Sequence, residues 1–219
     1  MSLPSGYTKL EYIQSSGKQY INTGFSIDST NYRDIQFIID CEILGKGSGQ
    51  SDWLINGSNI NSAYFYVGQY QGTYYYGCGG SADINTNVAV VDGRHTFTLD
   101  ASAKKFIISD VLDISATVAR VSATAPIILF GFAYSPIRSF AQKLYEAKIY
   151  QGSVLQRHFI PCLRKSDQVV GLFDLSTQTF FENSGTGAFI AGPKVAGGGI
   201  YVKVNGIWKQ VNNVSVNVH

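Results

Sequence analysis

The sequence predicts an all-β protein, a sandwich or barrel of short strands, and three observations carry that expectation. Short runs of alternating apolar and polar residues recur, closed by Gly, Asn, Asp or Pro, and almost nothing keeps a 3.6-residue period for ten residues or more. The composition holds 23 Gly, 14 Tyr and 13 Phe with only 15% charged residues, a balance that suits strands and tight turns better than charge-laced helices. The length of 219 residues fits one well-filled core with at most a small appendage.

In chain order the alternation places strands at residues 9–13, 19–25, 32–44, 53–55, 63–67, 73–77, 94–100, 105–110, 127–134 and 144–150, with several more beyond. Within 32–44, Phe37, Ile39, Cys41 and Ile43 form a core stripe, which leaves Asp40 and Glu42 together on the opposite face. In RHTFTLD, His95, Phe97 and Leu99 share one face while Arg94, Thr96 and Thr98 share the other. IILFGFAY is apolar on both sides, as expected of a central strand covered on both faces.

The stretch YFYVGQYQGTYYYGCGG is nearly symmetric about Tyr70, with Gly68 and Gly72 where a hairpin loop needs permissive backbone. Pairing outward from a tip at Tyr70 sets Tyr66 opposite Tyr74 and Tyr64 opposite Tyr76 on one face, with Val67–Thr73 and Phe65–Tyr75 on the other. If the four phenols were plain core, each hydroxyl would need a buried partner, since an unsatisfied one costs on the order of 1 to 3 kcal/mol. Tyrosine suits a half-wet face, with rigid ring area and a hydroxyl at its tip, although it is also favoured in strands whatever its role. With Trp53, Asn56, Asn59, Asn61 and Gln69 nearby, the patch as a whole favours a binding face, because sugars offer apolar C–H faces to stack and hydroxyls for amides to bond. The candidate glycan face is therefore Trp53, Asn56, Tyr64, Tyr66, Gln69, Tyr70, Tyr74 and Tyr76.

Other functions find less support. The net charge of +2 comes from scattered Lys and Arg with no basic stripe, so nucleic acid is not an expected partner. No apolar run approaches the roughly 20 residues that span a bilayer, and MSLPSGYTKLEY lacks the segments of a secretory signal, so a soluble chain without membrane insertion is expected. Cys41, Cys78 and Cys162 are odd in number and widely spaced, which predicts buried free thiols and no metal site, and His95, His158 and His219 lie in separate segments. Asp52, Asn56, Asp83 and Asn85 offer oxygen ligands for calcium but no diagnostic spacing, so solvated turns are the expectation and no metal or cofactor is assigned.

Two stretches carry a family resemblance, LPSGYTKLEYIQSSGKQYINTGF and KLYEAKIYQGSVLQRHFIPCLRKSDQVVGLFDLSTQTFFENSGTGAFIAGP. They resemble the concanavalin A-like, laminin-G-like lectin domain of phage and prophage tail and minor structural proteins, with matching pieces at 10–24, 147–161 and 171–193. His158 departs from the pattern, which has an acidic residue before the Phe-Ile-Pro. The resemblance implies a jelly-roll sandwich of two antiparallel sheets, with ligands on the concave face or at loop rims. The closing motif is a structural signature and carries no catalytic residue. It also implies synthesis in a bacterial cytoplasm and display on a virion or phage tail-like particle, acting extracellularly, a route on which free thiols are at home.

After residue 193 the composition passes through KVAGGG into IYVKVNGIWKQVNNVSVNVH, a Gly-rich hinge and a hairpin around Asn205-Gly206. The expected organisation is a sandwich over 1–193 and this hinge plus hairpin over 194–219. Too small to bury a core alone, the hairpin calls for a partner: other tail proteins, an identical chain or the sandwich itself.

The same sandwich serves glycoside hydrolases, which need two flanking carboxylates. Only Asp40 and Glu42 come near, about 7 Å apart on one strand face, and opposite a core stripe they read as a solvated outer face. No G-x-S-x-G elbow occurs and neither internal histidine has a recognisable partner, so no enzyme is expected. Three functions remain in order: a non-catalytic module recognising a bacterial surface glycan, a structural tail component without sugar binding, and an atypical glycoside hydrolase.

Overall fold

The computed structural model describes residues 2–45, 52–59, 63–79, 84–121, 123–131, 141–195, 200–204 and 207–211, with backbone alone at 52, 58, 59, 63, 64, 200–204 and 207–211. The strands are β1 (Tyr7–Lys9), β2 (Ile13–Ser15), β3 (Ile21–Ile27), β4 (Ile35–Ile43), β5 (Asp52–Asn59), β6 (Ala63–Tyr70) and β7 (Thr73–Cys78). They continue as β8 (Ile84–Ala89), β9 (Gly93–Asp100), β10 (Lys105–Ile108), β11 (Leu112–Ser115), β12 (Ala125–Leu129) and β13 (Gln142–Gln151). The last are β14 (Val154–Arg164), β15 (Val170–Asp174), β16 (Thr179–Phe181), β17 (Ile190–Ala191), β18 (Ile200–Val204) and β19 (Ile207–Val211). Among the described residues there is no helix.

Two antiparallel sheets form the sandwich, as the alternation predicts. The larger, of eleven strands, runs β11-β10-β9-β4-β13-β14-β15-β16, with β1 on β14 and β2 joining β17 to β13. The smaller, of six strands, runs β3-β12-β5-β6-β7-β8. Their inner faces meet through aromatic contacts, with ring centroids 5.5 Å apart for Phe37 and Phe65, 5.9 Å for Tyr74 and Phe97, and 4.9 Å for Tyr76 and Phe106. Strand β4 shows how the period is used: Ile35, Phe37, Ile39, Cys41 and Ile43 are all buried, the Ile and Phe side chains each worth about 1.5 to 3 kcal/mol of apolar transfer at most.

The strand expected at 127–134 does lie mid-sheet, between β3 and β5, but it stops at Leu129. Phe130 and Gly131 both take positive φ, 66° and 145°, and a Phe in that region costs on the order of 1 to 3 kcal/mol. Phe130 is held there by its N–H on the Leu54 carbonyl at 2.9 Å and by its ring against Phe189, 4.8 Å between centroids. Residues 132–134 of that expected strand lie outside the described residues.

The two resemblance-bearing stretches clasp each other. Buried Gln19 accepts at Oε1 from Ser15 Oγ (3.0 Å) and Ser16 N (2.9 Å) and donates from Nε2 to the Thr186 carbonyl (3.3 Å). Asn183 accepts from Tyr20 N at 3.1 Å and Gly185 N at 2.8 Å, and a Cβ on Gly185 would sit 2.3 Å from the Lys18 carbonyl. Fully buried Asp174 accepts from His158 N (2.7 Å), Ser176 N (2.9 Å) and Thr177 Oγ1 (2.7 Å), with Arg157 Nε 3.6 Å away. Arg157 in turn donates to the carbonyls of Thr23 and Gly24, tying the closing motif to β3.

The sandwich pairing continues past 193, through a Leu10–Lys194 bridge and the Val195 N–H on the Lys9 carbonyl. Among the described residues strands β18 and β19 pair only with each other, Val204 opposite Ile207 and Lys203 opposite Trp208, and Asn205 and Gly206 lie outside the described residues.

Candidate functional site

The tyrosine hairpin forms, with a register different from the sequence expectation. Tyr70 pairs with Thr73, Gln69 with Tyr74, Gly68 with Tyr75, Val67 with Tyr76 and Tyr66 with Gly77. The tip is Gln71-Gly72, both with positive φ (50° and 77°), a two-residue turn whose twist matches the flanking strands. A tip at Tyr70 would instead have paired Tyr66 with Tyr74. The slip is three residues, and because side chains alternate with period two, an odd slip reverses every side chain of β7 relative to β6.

The four-phenol patch is therefore corrected. Tyr74 and Tyr76 point between the sheets with Phe65, Val67 and Gln69, and all five are buried. Their hydroxyls find the partners that core burial demands: Tyr74 Oη donates to the Val91 carbonyl (3.2 Å) and accepts from Val91 N (3.1 Å), and Tyr76 Oη accepts from Thr117 N (3.2 Å). Burial pushes the Tyr74 phenol above its ordinary pKa. Gln69 is sealed too, its Oε1 taking the Gly72 N–H at 2.9 Å to close the turn. On the outward side Tyr66 and Asn56 are only 1% and 2% exposed, so neither offers its side chain to solvent. The side chain of Tyr64 lies outside the described residues.

What the smaller sheet does present outward is a different aromatic set. One cross-sheet row reads Trp53 (β5), Gly68 (β6), Tyr75 (β7), Asn85 (β8), each paired with the next. Paired residues share a face, so Trp53 and Tyr75 flank Gly68 across the strands while Tyr66 and Tyr70 flank it along β6. The ring contacts agree: Trp53 meets Tyr66 edge-on at 4.4 Å and Tyr75 meets Tyr70 edge-on at 5.7 Å. Tyr66 also lies over Gly77, where a Cβ would come 2.5 Å from its ring. Gly68, Tyr66 and Asn56 form a buried floor, and the accessible surface belongs to half-buried Trp53, Thr73 and Tyr75 and exposed Tyr70, Gln71 and Asn85. Among the described residues Tyr75 Oη and Asn85 Nδ2 make no hydrogen bond, whereas Gln71 Nε2 donates to Tyr70 Oη at 3.3 Å. Of the expected residues, Trp53 and Tyr70 remain on the accessible surface. Tyr75, Thr73 and Gln71 were missed, and the signal that finds them is the two-residue Gln-Gly turn.

The larger sheet's outer face has the opposite character. Asp40 and Glu42 do project outward together, and both are neutralised. Arg94 grips Asp40 with two bonds of 2.9 and 2.7 Å, and its guanidinium lies 3.7 Å from the Tyr145 ring centroid. Lys143 Nζ is 3.1 Å from Glu42, and Tyr145 Oη donates to Glu42 Oε2 at 2.7 Å, a bond that holds the carboxyl below its ordinary pKa. A bulge in β13 between Leu144 and Glu146 turns both Tyr145 and Glu146 to this face. His158, for which the sequence showed no partner, places Nε2 2.6 Å from Glu146 Oε1, and Lys148 bonds the other oxygen at 2.8 Å. An acidic residue at 158 would face Glu146 with like charge. A shallow cavity of about 260 Å³ opens here, lined by Glu11, Asp40, Arg94, Tyr145 and Glu146 among others.

Cys41, Cys78 and Cys162 are all free and buried, and desolvation pushes the Cys78 and Cys162 thiols up to about 12. No three His, Cys, Asp or Glu side chains converge among the described residues. Of the oxygen ligands considered for calcium, Asn56 is buried, Asn85 Oδ1 accepts from Asn87 N at 2.8 Å, and the Asp52 and Asp83 side chains lie outside the described residues. The chain matches no protein-family model and no curated protein.

Proposed function

We propose that the protein is a non-catalytic glycan-recognition module, a receptor-binding or host-adhesion unit of a phage or prophage tail-like particle. The observation that carries the recognition half is the outward row through Trp53, Gly68, Tyr75 and Asn85, with Tyr70 and Gln71 at its rim. Rigid rings beside amides and hydroxyls suit a ligand with apolar C–H faces and hydroxyl edges. The tail-particle half, with its jelly-roll lectin kinship and extracellular site of action, rests on the opening and closing sequence motifs alone. No metal or cofactor is assigned to the site.

The test is a glycan array of bacterial surface sugars probed with the full chain. A specific hit lost in Tyr70→Ala and Tyr75→Ala supports recognition. Absence of any hit supports the second reading, a structural tail component without sugar binding, which is favoured by the commitment of Tyr66, Tyr74 and Tyr76 to packing. In that reading the β18–β19 hairpin is the contact with other tail proteins or a second copy. A hydrolase reading has to work with Asp40 and Glu42, whose oxygens are already taken by Arg94, Lys143 and Tyr145. Release of reducing sugar, abolished by Glu42→Gln, would overturn the non-catalytic assignment.

A further inference from the structure

We infer that the ligand of the Trp53–Tyr75 face is a neutral, hydroxyl-rich glycan and that the face rejects anionic ones; this rests on the glycan reading above. The two outer faces of one sandwich differ in kind. The larger sheet sets Asp40, Glu42, Arg94, Lys143, Glu146 and Lys148 side by side in ion pairs. On the smaller sheet no outward strand position among the described residues carries a charge: β3 gives Asn22 and Ser26, β12 gives Pro126 and Ile128, β5 gives Trp53 and Asn56. Strand β6 adds Tyr66, Gly68 and Tyr70, β7 adds Thr73, Tyr75 and Gly77, and β8 adds Asn85, Asn87 and Ala89. Arg157 reaches the β3 edge, but its guanidinium is committed to the Thr23 and Gly24 carbonyls.

A uronate or phosphate laid on these rings would give up hydration with no counter-charge to replace it, and burying an unpaired charge is the costliest form of desolvation. A neutral sugar loses nothing comparable. Its C–H face covers ring area on Trp53, Tyr70 and Tyr75, and its hydroxyls exchange water for Tyr75 Oη, Asn85 Nδ2 and Gln71, all groups that act without formal charge. Association through such contacts does not depend on charge steering, so it is insensitive to salt.

The full chain is titrated with immobilised neutral hexose oligosaccharides and with uronic acid oligosaccharides of equal length, at about 50 and about 500 mM NaCl. The expected result is binding of a neutral series, changing less than about twofold across that range, and loss of at least about tenfold in Tyr75→Ala. Thr73→Arg places a cation at the rim on a half-buried position and is expected to create salt-sensitive binding of the uronic acid series. Preference of the unmodified chain for the anionic series, or a steep loss with salt, overturns this inference while leaving glycan recognition standing. Binding of neither series, by a chain with an unchanged unfolding midpoint, overturns the glycan reading and this inference with it.

Discussion

Tyr74 and Tyr75 are neighbours in sequence with opposite fates, and substituting each in turn tests the hairpin register and the site together. Tyr74 is fully buried, its ring 5.9 Å from Phe97 and its hydroxyl bonded twice to Val91. Truncating a ring of this size in a core costs about 3 to 5 kcal/mol, a large part of the 5 to 15 kcal/mol typical of a whole domain. Tyr74→Phe keeps the ring and removes only the hydroxyl. Because Val91 is 45% exposed, water can replace part of what is lost, so about 1 kcal/mol is expected. Tyr75 is half-buried on the other face, where its described ring contact is with Tyr70, and Tyr75→Ala should cost about 1 kcal/mol or less. Urea unfolding, read as a shift in midpoint at constant slope, measures the stability half. Titration against the array hit measures the other half, with Tyr75→Ala losing at least about tenfold and Tyr74→Phe binding as the unmodified chain does. The reasoning is refuted if Tyr75→Ala destabilises as much as Tyr74→Ala, or if Tyr74→Phe abolishes binding at an unchanged midpoint.

Three further outcomes follow from the geometry. Asp174→Ala leaves the His158 and Ser176 N–H groups without their acceptor and Arg157, whose side chain is 16% exposed, without its carboxylate; a loss of about 3 to 5 kcal/mol is expected by chemical denaturation, with Asp174→Asn recovering part of it. Gly72→Ala meets nothing within 4 Å, so its cost is that of the 77° φ alone, about 1 kcal/mol, and a thermal melt should show a small shift with glycan binding retained. Glu42, held below its ordinary carboxyl pKa of 4.5 chiefly by the Tyr145 hydroxyl, contributes stability that is present above that pH and fades as pH falls through the lower folded value; Glu42→Gln should flatten that acid limb, by on the order of 1 kcal/mol, in unfolding midpoints measured from pH 6 to pH 3.

Much of the fold was legible because burial writes itself into a strand with period two. The stripe of β4 and the run Phe97, Leu99 of β9 were readable residue by residue, since each needs only its own alternation. The site was less legible. The tyrosine run alternates correctly in β6 and again in β7, but which face each half presents depends on a turn whose length the near-symmetry around Tyr70 concealed. Gln71-Gly72 is a less familiar two-residue turn than Asn-Gly, and the Gly68 that looked like loop is instead the buried floor between two rings. The bulge at Tyr145 and the pairing of His158 with Glu146 left no local trace at all.

The sequence by itself determined the class of this protein: antiparallel strands, an aromatic-rich core and scattered charge, all consequences of composition and local period. Only the tertiary structure decided which tyrosines face water and which charges cancel. Facing is a matter of parity that one odd slip at a turn inverts for a whole strand. The pairs of Asp40 with Arg94 and of Glu42 with Lys143 join β4 to β9 and to β13, strands far apart along the chain that meet only when the sheet is assembled.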